Sequence, residues 1–169
     1  MKHRVNFGID WPLFGSKMLV KTLDNIQDGI INREKQQEEF TLAPKLTKEI
    51  SKIDWENQTA TQIKNLVRGL NPGMGAYSFL EDKKIKFWKV EKINFDEFIN
   101  KFSEFEEYKN RIQKIDNGTV LYSNCKYGLF IKCQGGIISV LEIQAENSKK
   151  MDIKNYLVGN QIIAGSCFE

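Results

Sequence analysis

Apolar side chains recur along this chain at two periods, and the division between them predicts its elements. Leu19, Leu23 and Ile26 fall at helical spacing and predict a helix from about Ser16 to Asp28, with Ser16 placed to cap it and Gly29 to end it. Ala60, Ile63, Leu66, Val67 and Leu70 predict a second helix over 59–70, opened by Thr59 and stopped at Asn71-Pro72. Lys64 and Arg68 lie one turn apart on its other side, a small basic ridge. The glycines at 73 and 75 then allow a sharp reversal into an extended run.

Period two takes over from there. Gly75 to Leu80 and Lys84 to Ile93 read as strands joined by Glu81-Asp82-Lys83, a spacing suited to a hairpin. In the second run Ile85 and Phe87 alternate with Lys84 and Lys86, and the pattern slips at Trp88 and Val90. A slip of one residue predicts a bulge, with Trp88 turned into the core. Without a bulge, Lys84, Lys86 and Trp88 would share one outer face, the basic and aromatic mixture that single-stranded nucleic acid favours. Three more strands are expected at Gly118–Asn124, Tyr127–Cys133 and Ile137–Gln144. The expected fold class is therefore α+β, mainly β with helices. Five strands with helices before and near the end of the sheet fit a small Greek-key barrel of the oligonucleotide-binding type, preceded by a helix and an extended linker.

Three stretches remain. Residues 29–49 are polar and charged and read as a linker, in which Pro44 biases Ala43 to an extended conformation and lets Lys45 and Lys48 project. Ile53 and Trp55 flank Asp54 and are expected to point inward together, Trp55 as a packing residue. Residues 94–116 place Phe95, Phe98, Phe102, Phe105, Tyr108 and Ile112 along one side of an amphipathic helix, acidic on the other. That helix is expected to cap one end of the barrel; a surface for a protein partner is the alternative. Domain limits follow: an unassigned terminus at 1–14, a helix and linker at 15–48, and the folded domain at 49–169.

Composition narrows the chemistry. No apolar run approaches the roughly 20 residues of a membrane span, and Asn6, Asp10 and Pro12 interrupt the stretch where a signal peptide would be apolar. A cytoplasmic protein with no membrane partner is expected. The 3 cysteines, Cys125, Cys133 and Cys167, lack metal-site spacing and are expected as buried or half-buried free thiols, with no metal bound. The one histidine, His3, lies near the start, so imidazole acid–base chemistry is not expected. Net charge is +3, but residues 41–93 hold ten basic against six acidic side chains, a positive excess of the kind a nucleic-acid surface needs.

That basic span also carries a resemblance. Leu66-Val67-Arg68-Gly69-Leu70-Asn71-Pro72, followed by Gly75-Ala76-Tyr77, resembles the signature of the C-terminal domain of methionyl-tRNA formyltransferases. Three further blocks stand in the same order: Leu42 to Lys48 (LAPKLTK) and Ile53-Asp54-Trp55 before it, and Ile85 to Lys89 (IKFWK) after it. The closing stretch is similar as well, in Lys149-Lys150-Met151, Tyr156 to Gly159, and Gly165 through Phe168; Lys149 and Lys150 precede a short helix with apolar Ile153, Tyr156 and Leu157. The similarity spans about residues 15 to 168. It departs at Gly73-Met74, where the family has an aromatic-proline pair, and at 94–116, where it has a short connection.

What the resemblance implies is a division of labour. Formyl transfer from 10-formyltetrahydrofolate belongs to an N-terminal catalytic domain with an HxSLLP loop, which this sequence lacks. The chain alone is therefore expected to carry no catalytic residue and no cofactor. Its implied partners are initiator Met-tRNA and the N-terminal formyltransferase domain. The implied nucleic-acid-binding residues are Lys45, Lys48, Lys64, Arg68, Lys84, Lys86, Lys149 and Lys150, gripping phosphates without reading sequence. Two other readings stand beside this one: the same domain in formyltransferases of sugar nucleotides or in folate-dependent hydrolases, binding no RNA, and a stand-alone interaction module.

Overall fold

A computed structural model describes residues 7–31, 33–35, 39, 42, 45–102, 112 and 114–169. The chain divides into two units, residues 1–43 and residues 44–169. The first holds a single described helix, α1 (Phe7–Gln27). It starts nine residues before the expected Ser16, which is no cap: the Ser16 hydroxyl donates to the Leu13 carbonyl inside the helix. Pro12 lies within α1, where it removes one amide donor and crowds the carbonyl one turn earlier. Gly29, at φ 75°, ends the helix as expected, and Gly29 and Ile30 donate back to the carbonyls of Ile26 and Asn25.

In the second unit a 3-10 turn (Glu49–Ser51) precedes α2 (Ala60–Leu70). The Thr59 side chain accepts from the Gln62 amide while the Gln62 side chain accepts from the Thr59 amide, so two orphan donors of the first turn are satisfied. Ala60, Ile63, Val67 and Leu70 are buried and make the face that docks on the sheet.

The sheet is antiparallel throughout. Its strands are β1 (Ala76–Leu80), β2 (Lys83–Ile93), β3 (Val120–Asn124), β4 (Gly128–Cys133), β5 (Gly136–Ala145) and the short β6 (Met151–Asp152). Spatial order is β1-β2-β5-β4-β3, with β6 on β5. The hairpin loop is two residues, not three: Leu80 pairs with Lys83, and Glu81 and Asp82 both take positive φ, the backbone hand a two-residue turn requires.

The closing segment of the chain joins the two edge strands. Phe79 and Glu169 exchange both backbone hydrogen bonds on the β1 side, while Gly165 donates to Val120 and Val120 to Ser166 on the β3 side. Phe168 thereby lands in the core against Trp55 and Phe87, with ring centroids 5.8 Å and 5.5 Å away. The Trp55 indole N–H donates to the Ser78 hydroxyl (2.8 Å), which donates on to the Glu169 carbonyl (2.6 Å). Trp55 is thus the packing residue its spacing predicted, and its one polar atom is satisfied. Gly118 sits under this cluster at φ 88°, and a Cβ there would lie 2.6 Å from the Phe168 carbonyl oxygen. Gly118→Ala is expected to lower stability by more than about 1 kcal/mol, read from the urea midpoint.

A second apolar cluster covers the other side of β3, β4 and β5. Helix α3 (Phe95–Lys101) follows the cap residue Asn94, and its Phe98 and Ile99, with Phe102 and Ile112, pack on Leu121, Phe130 and Ile137. Helix α3 ends at Lys101, and the described apolar residues of the expected 94–116 helix are core; Phe105 and Tyr108 lie outside the described residues, as do Ala43 and Pro44 of the linker. Cover on both sides explains why every residue of β4 is buried. Lys132 on that strand extends its Nζ to the Asn117 side-chain oxygen (2.8 Å), and burial lowers its pKa. Cys133 is buried too, which pushes its thiol up to about 12, whereas Cys125 and Cys167 are exposed, against expectation. A last helix, α4 (Ile153–Gly159), is capped by Asp152 and buries Ile153.

Candidate nucleic-acid interface

The hairpin sorts its side chains by alternation. Ala76, Ser78 and Leu80 of β1 and Ile85 and Phe87 of β2 are buried, leaving Tyr77, Phe79, Lys84 and Lys86 on the outward side. Register pairs Tyr77 with Lys86 and Phe79 with Lys84 directly across the strands, so the four share one face.

Trp88 joins them, and here the sequence reading is corrected. The expected bulge exists, as register shifts on either side of Lys89. It comes one residue later than a buried Trp88 would need: Val90 is the next core residue, and Trp88 keeps the outward phase of Lys84 and Lys86. The indole is half-buried and has built support. Its ring lies on Gly75, where a Cβ would come within 3.1 Å of it, and Gly75 holds φ 69°. Its N–H donates to the Gln144 side-chain oxygen (3.1 Å), and Asn71 at the end of α2 donates to the Trp88 carbonyl (2.8 Å).

Lysines stand over these rings. Lys84 Nζ is 3.7 Å from the Tyr77 ring centre, Lys86 and Lys150 are 5.8 Å and 5.5 Å from that of Trp88, and Lys52 is 5.7 Å from that of Phe79. Tyr77 and Phe79 contact edge to face at 5.7 Å. Pairing of β6 with β5 delivers Lys150, and a bridge between Lys52 and Tyr77 delivers Lys52. The result is one strip running Phe79, Tyr77, Trp88, with four ammonium groups along it. Glu142 lies 2.6 Å from Lys150 and offsets part of the charge there. Each cation gains from the ring quadrupole while keeping its head in water.

Of the eight residues expected from sequence, Lys84, Lys86 and Lys150 meet on this strip. Lys64 is on α2 and pairs with Glu91 of β2; the pair is exposed, and Lys64→Gln is expected to change stability by less than about 1 kcal/mol in thermal unfolding. Lys45, Lys48, Arg68 and Lys149 are exposed, Arg68 in the last turn of α2, Lys48 just before the 3-10 turn and Lys149 next to Lys150 in the chain, and among the described residues none of the four stands over a ring of the strip. Sequence reasoning missed Lys52, Tyr77 and Phe79. Period two in β1 held the signal for the two rings; nothing local marked Lys52.

The family model for the formyl transferase C-terminal domain matches residues 45–161, which contain this hairpin and its supports. The chain belongs to that family. Within it, the methionyl-tRNA formyltransferase of Caldanaerobacter subterraneus subsp. tengcongensis is 39% identical over 153 residues, covering 90% of this chain and 43% of that protein. That of Ruminiclostridium cellulolyticum is 32% identical over 157 residues, 92% of this chain and 45% of that protein. The chain therefore spans less than half the length of these curated relatives. Among solved structures, a multiply substituted variant of HypX from Aquifex aeolicus matches with TM-score 0.50 at 17% identity, covering 87% of this chain and 24% of that one. HypX in complex with tetrahydrofolic acid matches with TM-score 0.50 at 15% identity, over 90% and 26%. At these identities the likeness is one of fold alone. Among the described residues, no helix is long and apolar enough to cross a membrane.

Proposed function

We propose that this chain is the RNA-facing C-terminal domain of a methionyl-tRNA formyltransferase, a barrel of the oligonucleotide-binding type that holds initiator Met-tRNA in the cytoplasm. The observation that carries the reading is the strip itself: Lys84, Lys86 and Lys150 converge on one built face in a chain whose relatives at 32–39% identity bear that enzyme's name. Their role is to neutralise phosphates and fix the register of the tRNA, a contact that positions without reading sequence. Arg68, Lys64, Lys45, Lys48 and Lys149 would widen the same field. Proton removal from the aminoacyl amine and transfer from 10-formyltetrahydrofolate fall to the N-terminal catalytic domain, for which no residue of this chain is assigned a role.

The alternative, a domain serving sugar-nucleotide or folate chemistry without RNA, makes the opposite forecast for one assay. Filter retention of labelled initiator tRNA at about 50 mM salt, where phosphate contacts are strong, should show saturable binding that a nucleotide sugar does not displace. No retention at that salt would reject the proposal.

A further inference from the structure

The three rings of the strip are more than phosphate binding requires. A surface that only neutralised a polyanion would need lysines on polar neighbours, yet here Phe79, Tyr77 and Trp88 line one outward face, and Trp88 is held by Gly75 beneath, Gln144 on its N–H and Asn71 on its carbonyl. Gln144 is itself fixed, donating to the Ser148 carbonyl at 2.9 Å. With Gly75 beneath the ring, Gln144 on its N–H and Asn71 fixing the backbone, the indole has a set orientation, and its orientation entropy is already lost before any ligand arrives.

We infer that this strip stacks unpaired RNA bases, with Trp88 and Tyr77 as the stacking residues and Lys52, Lys84, Lys86 and Lys150 meeting the phosphates that run beside them. The inference rests on the RNA-binding reading and names the RNA feature it prefers: single-stranded nucleotides over duplex. Charge complementarity selects the ligand: Lys52, Lys84 and Lys86 stand over the rings and Lys150 joins them, paired with Glu142, a row of ammonium groups that calls for a polyanion, and π-faces within reach of those groups call for one whose bases are splayed out. In a duplex the bases are stacked on each other and cannot reach the rings, so only the lysines would act. The cations standing over Tyr77 and Trp88 need only swing aside on their flexible stems for a base to take the ring face.

The test uses the whole chain and two labelled probes of the same sequence, a single-stranded RNA of about ten nucleotides and its blunt duplex. Fluorescence anisotropy should show the single strand bound at least several-fold tighter than the duplex. Trp88→Ala should weaken single-strand binding by about five- to a hundredfold while leaving duplex binding within twofold, and Trp88→Phe, which keeps a ring, should restore most of it. Because Trp88 packs on Gly75 and could disturb the hairpin, Tyr77→Ser, at an outward position, provides a second variant with the same expected selectivity. Equal affinity for both probes, or equal loss on both in the variants, would overturn stacking while leaving tRNA retention intact. Failure of every probe, tRNA included, would remove the RNA-binding reading and this inference with it.

Discussion

Phe168→Ala is expected to cost about 3–5 kcal/mol, and removal of residues 165–169 is expected to abolish cooperative unfolding of the domain altogether. Phe168 is almost fully buried, touching Trp55 and Phe87 by ring edges and tilted faces. Truncating its side chain therefore leaves a void among large rigid rings that cannot collapse into it. Deleting the segment does more. Phe79 loses its two backbone partners on Glu169, Val120 loses Ser166 and Gly165, and the Ser78 hydroxyl loses the carbonyl it donates to. Edge strands β1 and β3 would then both present open backbone to water, and Trp55 would face solvent. A domain stabilised by only 5–15 kcal/mol in total does not withstand that. Urea unfolding followed by circular dichroism reads both: a shifted midpoint with an unchanged slope for the point variant, and no transition for the truncation.

Replacing Lys84, Lys86 and Lys150 together by Gln has the second large expected effect, and on binding, not on stability. None of the three is buried; all three lie over rings, and Lys150 also faces Glu142 at the surface. Loss of these contacts is expected to move the unfolding midpoint by about 1 kcal/mol or less in total. Initiator tRNA affinity is expected to fall on the order of a hundredfold near 0.15 M salt, the counterion-release contribution of about three phosphates. Lys45, Lys48, Lys64, Arg68 and Lys149 remain in that variant, so any residual binding measures what they contribute. Equal affinity of the variant and the wild type would place the RNA elsewhere on the molecule.

How much of this could be read from the sequence depended on how local each cause is. Helix α2 was legible to its cap, because Thr59, Gln62 and the apolar spacing that follows all act within a few residues. The hairpin was legible for the same reason, as was the bulge. Which way Trp88 turned was not: the slip falls at Lys89, one residue past the indole, and only the packing of Gly75 beneath the ring decides between the two phases. The start of α1 was missed because the helix was read from the stripe of Leu19, Leu23 and Ile26 with Ser16 as its cap, whereas it runs back through Pro12 to Phe7. Full burial of β4 was invisible because half of it comes from Phe98 and Phe102, some thirty residues away in sequence and on the opposite side of the sheet. The candidate site divided likewise. Lys84 and Lys86 are neighbours on one strand, but Lys150 and Lys52 reach the strip through pairings that no local pattern announces.

Salt dependence of tRNA binding tests the central claim most directly, since it counts phosphate contacts instead of inferring them. With log affinity plotted against log salt for the wild-type chain and the triple Gln variant, the account predicts a steep negative slope for the first and a slope shallower by about 2 to 3 for the second. Parallel lines for the two proteins would contradict it.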